Sequence, residues 1–150
     1  MVEKEKKEKI IEVENKIKNF LQNEEFYLVE TQIQERTEYL VTLFIYNKKD
    51  TSVESLGKIN KKIYPLLEDI PFLARGFSLE VSSPGIFRKI KFFDEFNIFE
   101  GREIKITKED GTTFSGILEG LKDKLVYIID KNKNTHSFNL NEIKSASLNG

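Results

Sequence analysis

The chain has 150 residues, enough for one ordinary domain or two small ones with a buried core. It has no cysteine, which excludes disulfides, thiolate chemistry and cysteine-ligated metals. Its 24 basic and 25 acidic side chains leave a net charge of −1, so a contact with RNA would have to come from a local patch.

Neither a leader nor a membrane span is predicted. The first residues mix acids and bases without an apolar segment of the kind that begins a signal peptide. No apolar run approaches the roughly 20 residues that cross a bilayer. We therefore expect a cytoplasmic protein without a membrane partner.

The first half of the chain predicts the element order α-β-β-α-β. Residues 4–22 have apolar side chains at three- and four-residue spacing, as in an amphipathic helix. Residues 26–35 and 39–46 alternate as the strands of a hairpin, and residues 77–81 supply a third strand. Between the second and third strands, Ser52 is a suitable N-cap for a second helix. Pro65 should kink this helix or begin its last turn. This order suggests a three-stranded sheet with both helices on one face.

The second half has the pattern of a small all-β domain. A short helix is predicted between Asp94, as its N-cap, and Gly101, just beyond its end. Short strands follow at 103–108, 112–121, 125–129, 135–139 and 144–148, with turn residues or a short helical turn between them. Such spacing predicts a small antiparallel barrel. The fold class is therefore α+β, with an N-terminal α+β domain at residues 1–88 and a C-terminal β-barrel domain at residues 89–150.

The sequence lacks the residue sets of common catalytic and metal sites. Its one histidine, His136, lies in a predicted strand without other ligands at metal-binding spacing. Gly-rich phosphate loops and the GxSxG motif are absent. We predict no catalytic residues, no metal, no cofactor and no small-molecule substrate, and hence a protein that is not an enzyme.

Four phenylalanines lie within eight residues: Phe92, Phe93, Phe96 and Phe99. One interpretation is a surface that stacks on RNA bases. The helical spacing of Phe93, Phe96 and Phe99 favours another, in which they pack the short helix onto its domain. The acidic neighbours of these residues also favour packing, so we expect the three side chains to be buried.

The stretch SLEVSSPGIFRKI, residues 78–90, joins the two halves. Pro84 and Gly85 suit the second and third positions of a type II turn, where the third residue needs a positive φ. The hydroxyls of Ser82 and Ser83 and the nearby backbone N–H groups could hold an anion. Basic side chains are concentrated around this turn at Arg75, Arg88, Lys89 and Lys91. From the residues alone, the stretch is either a strand-exit turn with a linker or a phosphate contact without sequence readout.

The string LEVSSPG, followed by Arg88, resembles the most characteristic motif of the bacterial RimP family of ribosome maturation factors. Other segments are similar to that family in order and length: the first helix, the hairpin ending in LFIYN, the helix SVESLGKINKKIYPLLED, the FxxFxG at 96–101 and the segment REIKITKEDGTTFSGILE. The resemblance implies that the second domain is an SH3-like (Sm-like) barrel. It also implies a non-catalytic assembly factor that binds transiently to the small ribosomal subunit or its precursor, with rRNA and a decoding-region ribosomal protein as partners. We expect it to be a monomer.

The motif and the basic residues near it supply the candidate ribosome or rRNA contacts: Ser82, Ser83, Pro84, Gly85, Arg88, Lys89, Lys91, Arg75 and Lys61. Asn60 and Lys61 stand where a Ser-Arg pair is common in the family, so Lys61 keeps the positive charge but loses the bidentate phosphate geometry of arginine. Arg88 is flanked by Phe87 and Lys89, where the family usually has an acid and a proline. The acid–arginine pair is therefore predicted to be missing from this chain.

Two other functions remain open at this point. A stand-alone Sm-like module would oligomerise through its barrel edges and bind single-stranded RNA, although the balanced charge predicts weak, salt-dependent affinity. An adaptor would instead grip a ribosomal protein through the sheet edge or the barrel, without need of the basic residues.

Overall fold

The computed structural model describes residues 2–49 and 51–149, so the outermost residues of the two predicted domains, 1 and 150, lie outside it. The chain divides into two compact units, a first unit at residues 1–84 and a second unit at residues 85–150. The elements of the first unit are α1 (Glu3–Asn23), β1 (Tyr27–Glu35), β2 (Tyr39–Tyr46), α2 (Val53–Glu68), a 3-10 turn (Pro71–Leu73) and β3 (Phe77–Ser82). This is the predicted order.

The sheet of the first unit has the strand order β1-β2-β3. β1 and β2 form the predicted antiparallel hairpin, while β3 pairs with β2 in parallel because α2 carries the chain back between them. Val41, Leu43 and Ile45 of β2 alternate onto one face and are fully buried with Ile17 of α1 and Ile63 of α2. Both helices therefore cover one face of the sheet.

The second helix begins as the sequence predicts. The side chain of Ser52 accepts a hydrogen bond of 3.2 Å from the backbone N–H of Ser55, which satisfies one donor of the first turn. The helix continues through Pro65 to Glu68, so Pro65 begins its last turn. Parallel strands end at the same sheet edge, and α2 consequently begins beside the C-terminal end of β3.

The second unit is built on a five-stranded antiparallel sheet. Its elements are α3 (Glu95–Ile98), β4 (Glu103–Lys108), β5 (Thr113–Lys122), β6 (Leu125–Ile129), β7 (Thr135–Asn139), a 3-10 turn (Leu140–Glu142) and β8 (Ile143–Leu148). The strand order is β7-β6-β5-β4-β8. The strands β4 to β7 form a meander, and β8 returns to pair with β4. β7 and β8 stand at the two edges of this sheet.

The short helix α3 differs from its prediction in two respects. It ends at Ile98 with Phe99 as its C-cap, so Gly101 does not lie just beyond its end. Asp94 precedes it but makes no side-chain capping hydrogen bond, and its backbone is already helical. The first helical residue, Glu95, is instead fully buried. Within the described part of the chain, no helix has the length and apolarity needed to cross a membrane.

Candidate functional site

In the first unit, an open groove of about 520 Å³ runs between α2 and the C-terminal end of β3. Its lining includes Lys61, Ser82 and Ser83, three of the residues that the sequence singles out. Gly57 forms part of the same wall, and a Cβ added there would meet no atom within 4 Å. The fold thus brings one exposed ammonium and two half-buried serines to a single open surface.

Two hydrogen bonds organise this groove. The side-chain amide of Asn60 donates to the carbonyl of Leu79 at 3.3 Å, which ties α2 to β3. The hydroxyl of Ser82 donates to the carbonyl of Ser83 at 3.3 Å. Hydroxyl and ammonium groups arranged in this way are suited to polar or phosphate contacts rather than to base readout.

Arg75 lies elsewhere in the first unit. It is exposed in the turn that precedes β3, whereas Ser82 ends that strand. Five residue steps separate Phe77 from Ser82, and at about 3.3 Å per residue they span about 17 Å. Arg75 is therefore not part of the groove.

The Pro84-Gly85 stretch forms the chain connection to the second unit. Gly85 has φ of 88°, a positive value of the kind predicted from the turn pattern. The backbone turn, however, falls at Ile86 and Phe87, whose side chains are exposed. Pro84 is half-buried and Gly85 is exposed.

Arg88 has a different environment from the one predicted. Its side chain is buried, with 7% of its surface exposed, and its guanidinium faces the carboxylate of Glu95. The Nε atom donates to Oε1 at 2.9 Å and the second terminal nitrogen donates to Oε2 at 3.0 Å, a bidentate geometry. The prediction that an acid–arginine pair is missing is wrong, because the acid comes from the start of α3 rather than from the residue before Arg88. An arginine held in this way is not an exposed cation.

Glu95 also holds the segment that leads to it. Its Oε2 atom accepts hydrogen bonds from the backbone N–H groups of Lys91, at 3.0 Å, and Phe92, at 2.9 Å. One buried carboxylate therefore gathers four N–H donors from residues 88–92. Sequence reasoning missed this role, although an acid seven residues after the motif arginine is a signal that could have suggested it.

Lys89 and Lys91 are exposed on this held segment. Residues 88–90 run along the outer edge of β8, since the N–H of Ile90 donates to the carbonyl of Ala146 and the N–H of Leu148 donates to the carbonyl of Arg88, both at 2.8 Å. Lys89 stands opposite Ser147 in this pairing. The pairing with β8 and the hydrogen bond to Glu95 thus fix the backbone positions from which the side chains of Lys89 and Lys91 extend.

The phenylalanine cluster is divided between the core and the surface. Phe96 and Phe99 are buried, as predicted, but Phe93 is 64% exposed and Phe92 is 48% exposed. The expected burial of Phe93 is wrong, because α3 has only one turn and Phe93 precedes it. Phe92 and Phe93 are therefore surface residues beside Lys91.

Three carboxyl groups of the second unit have shifted pKa values. Hydrogen bonds from the hydroxyl and the backbone N–H of Thr112 lower the pKa of Asp110. Loss of hydration, and to a lesser extent the neighbouring Glu95, raises the pKa of Asp94. The His136 side chain, whose Nε2 lies 2.8 Å from Asp130 Oδ2, lowers the pKa of Asp130, and backbone N–H groups of the following loop act in the same direction. In the described residues, no group of three histidine, cysteine, aspartate or glutamate side chains could hold a metal ion.

Comparisons with known proteins give a consistent relationship. Residues 16–87 match the family model of the RimP N-terminal domain. A protein of Borrelia turicatae (strain 91E135) named ribosome maturation factor RimP is 36% identical over 120 residues, which are 79% of this chain and 82% of the relative. The protein of that name from Borrelia hermsii (strain HS1 / DAH) has the same identity and coverage. That from Borrelia recurrentis (strain A1) is 35% identical over 94 residues, 63% of this chain and 64% of the relative.

Proposed function

Because the chain belongs to the RimP family of ribosome maturation factors, we propose that it acts in maturation of the small ribosomal subunit. The observation that carries this proposal is the similarity to proteins of that name over about four-fifths of both chains. In this function the protein is a cytoplasmic, monomeric assembly factor and not a catalyst. Its partners are pre-subunit rRNA and a ribosomal protein of the decoding region.

The mechanism follows from binding equilibria. A factor that binds one immature conformation of the subunit more tightly than another shifts the folding equilibrium toward the first. It must also dissociate, so moderate and salt-dependent affinity serves this role. Differential affinity, rather than bond chemistry, is the step that this protein would supply.

The proposed contacts form two separate parts, one on each unit. Lys61, Ser82 and Ser83 line the groove of the first unit, and Lys89 and Lys91 are exposed on the segment held by Glu95. Pro84 and Gly85 connect the two parts, while Arg75 would act as a separate exposed cation. Arg88 is proposed to act indirectly, by holding the segment that carries the lysines.

The second domain is proposed to be an SH3-like barrel. Support comes from the five antiparallel strands and from the return of β8 to pair with β4, an order in which β7 and β8 are the two edges that a closed barrel would bring together. The 3-10 turn before β8 lets the chain change direction in three residues. A small-angle solution experiment on the second unit would distinguish a closed barrel from an open sheet by its radius.

Sedimentation tests the proposed function. In cell extract at low salt, the protein should travel with small subunits or their precursors, and its absence from those fractions would remove the proposal. The variant K89E/K91E should bind small subunits more weakly than the wild type. The slope of log affinity against log salt concentration should also be shallower, by about 0.7–0.9 for each phosphate that the two lysines neutralise in the wild type. The control K122E/K131E changes the charge equally at exposed positions of the second unit and should bind as the wild type does.

Two other results would favour the alternatives. Binding to subunits that is indifferent to K89E/K91E would favour an adaptor that grips a ribosomal protein. Tight binding to unstructured RNA in physiological salt, together with a ring-sized oligomer in light scattering, would favour a stand-alone Sm-like module.

A further inference from the structure

A small groove lies at the edge of the second unit's sheet, where residues 90–93 pass between β8 and α3. Its volume is about 120 Å³. The residues that matter here are the apolar Ile90, Phe92, Phe93 and Phe96 together with Lys91 and Lys144. An enclosed cavity that accepts benzene has about 150 Å³, so this smaller, open groove could take only part of a six-membered ring, with the rest of the ring lying over its rim.

Phe92 and Phe93 are presented to solvent in a defined conformation. They are 48% and 64% exposed, whereas Phe96, which also lines the groove, is buried. The backbone N–H of Phe92 donates to the buried carboxylate of Glu95, so the loop that carries both rings is tied to the fold. Two adjacent exposed aromatic rings on an ordered loop are typical of a binding surface rather than of a fraying end.

The charges around the groove are mainly positive. The charged side chains in its lining are Lys91 and Lys144, both exposed, and Lys89 lies two residues before the first of them. The guanidinium of Arg88 and the carboxylate of Glu95 neutralise each other beneath the surface. The exposed acids nearby are Asp94, next to Phe93, and Glu142, two residues before Lys144; Glu142 is paired with Lys108 at 3.6 Å. Three exposed ammonium groups thus stand against two carboxylates, one of which has its own cation.

We propose that this groove holds an unpaired base of single-stranded RNA, stacked on Phe92 or Phe93, with the flanking phosphates on Lys91 and Lys144. The proposal rests on the proposed function and names the chemistry of one of its contacts. Flat exposed rings with ammonium groups beside them are the elements of a stacking platform for nucleic acid. The small size of the groove, the exposed flat rings at its rim and the positive surroundings favour a single base over an extended apolar peptide. Since any base has a π-face, the contact should tolerate different sequences.

A tryptophan reporter tests stacking directly. The chain contains no tryptophan, so Phe93→Trp introduces a single indole into the groove. Addition of an eight-nucleotide oligouridine in 50 mM salt should quench its fluorescence, because the base stacks on the ring. The control Phe87→Trp places the indole at a position that is 67% exposed in the same unit but outside the groove, and it should not be quenched.

Affinity measurements separate stacking from charge. F92A/F93A should weaken binding of the labelled oligouridine by roughly tenfold, as the loss of one stacked base does, without changing the salt dependence. Lys144→Gln should make the dependence of log affinity on log salt shallower by about 0.7, the value for one phosphate of a single strand. Phe87→Ala is the matched control and should bind normally. Thermal denaturation of each variant verifies that it is folded.

The outcomes are distinguishable from those of the sedimentation test. If the wild type travels with small subunits but neither the reporter nor F92A/F93A responds to the oligonucleotide, the groove is not a base-binding site and the proposed function stands. Oligonucleotide binding that depends on Lys144 but not on the two phenylalanines would also overturn the inference. So would a change in the fluorescence of Phe93→Trp that a peptide produces and the oligouridine does not. If the wild type fails to travel with subunits, the proposed function fails, whatever the oligonucleotide does.

Discussion

Glu95 is the residue on which the start of the second unit depends. A charge with no exposed surface is stable only when its partners offset the loss of water, and here Arg88 and two backbone N–H groups do so. The same hydrogen bonds fix the residues between them. The Arg88–Glu95 pair therefore links the stability of the second unit to the presentation of Lys89, Lys91 and Phe92.

Glu95→Gln should destabilise the protein by about 3–5 kcal/mol, because the buried guanidinium of Arg88 would then face a neutral amide. Denaturation in urea, followed by circular dichroism, measures this change. Glu54→Gln is the matched control, since Glu54 pairs with Lys58 at 3.7 Å where both side chains are mostly exposed. It should cost less than about 0.5 kcal/mol. Equal effects of the two substitutions would contradict the structural role of Glu95.

Asp130 makes the stability of the second unit dependent on pH. Hydrogen bonds from His136 and from the backbone of Asn134 and Asn132 lower its pKa in the folded protein, below the value of about 3.9 in an unfolded chain. The carboxylate contributes its full stability above about pH 4–5, and this contribution is lost as the pH falls through the lower folded value. Asp130→Asn should therefore melt at a lower temperature than the wild type at pH 6, with the difference shrinking toward pH 2. A difference in melting temperature that grows as the pH falls would contradict this prediction, because it would mean that folding raises the pKa of Asp130.

Two glycines, Gly116 in a strand and Gly57 in a helix, have opposite effects on the elements that contain them. Gly116 lies in β5, where a Cβ would stand 2.4 Å from the carbonyl oxygen of Ile129 in β6, so the close approach of the backbones requires glycine. Gly57 lies inside α2 and a Cβ there would meet open space. The strand glycine is required by packing, whereas the helix glycine weakens its own element.

Gly116→Ala should destabilise the second unit by about 1–3 kcal/mol, because the added methyl group forces the backbone of β5 or β6 to move. Gly57→Ala, made as its control, should stabilise the first unit by roughly 0.5–1 kcal/mol through helix propensity. Differential scanning calorimetry of the two variants measures both effects. A neutral Gly116→Ala would mean that the strands can separate without loss of packing.

The whole molecule consists of two units, each with its own core. The buried residues of the first unit's core lie between Val13 and Phe77, and the partly buried Ile10, Leu79 and Val81 are among those that pack against them. Along the chain, the first unit ends at residue 84 and the second begins at residue 85, four residues before the boundary of 88 and 89 predicted from the sequence. The two boundaries assign Arg88 differently. The boundary in the structure places Arg88 in the same unit as its partner Glu95, whereas the predicted boundary separates the two residues.

A fragment of residues 85–150 should therefore fold more stably than one of residues 89–150. The shorter fragment lacks Arg88 and leaves the buried carboxylate of Glu95 without its counter-charge, at a cost of about 3–5 kcal/mol. Amide exchange and thermal melts of the two fragments compare them directly. Equal stability would support the boundary predicted from the sequence. A matched truncation of the first unit, to residues 2–84, should retain the sheet and both helices.

The order and type of the elements follow from the sequence because each depends on neighbours a few residues apart. Periodicity predicts α1 and β2 to within one residue of their observed ends, and turn residues predict β4, β6 and β7 at their observed bounds. The cap at Ser52 and the positive φ of Gly85 are equally local. Family resemblance adds the motif and, with it, the expected function.

The surface of the candidate site depends on contacts between residues distant in the chain. Helical spacing places Phe93 with Phe96, but the helix begins only at Glu95, so Phe93 is exposed. Lys144 lies near Phe93 only because residues 88–90 run along β8, which no local pattern indicates. Arg88 is buried because Glu95 offers it a bidentate partner at that place. Local preferences specify which segments are helices and strands, whereas burial and charge pairing depend on where the folded chain brings those segments together.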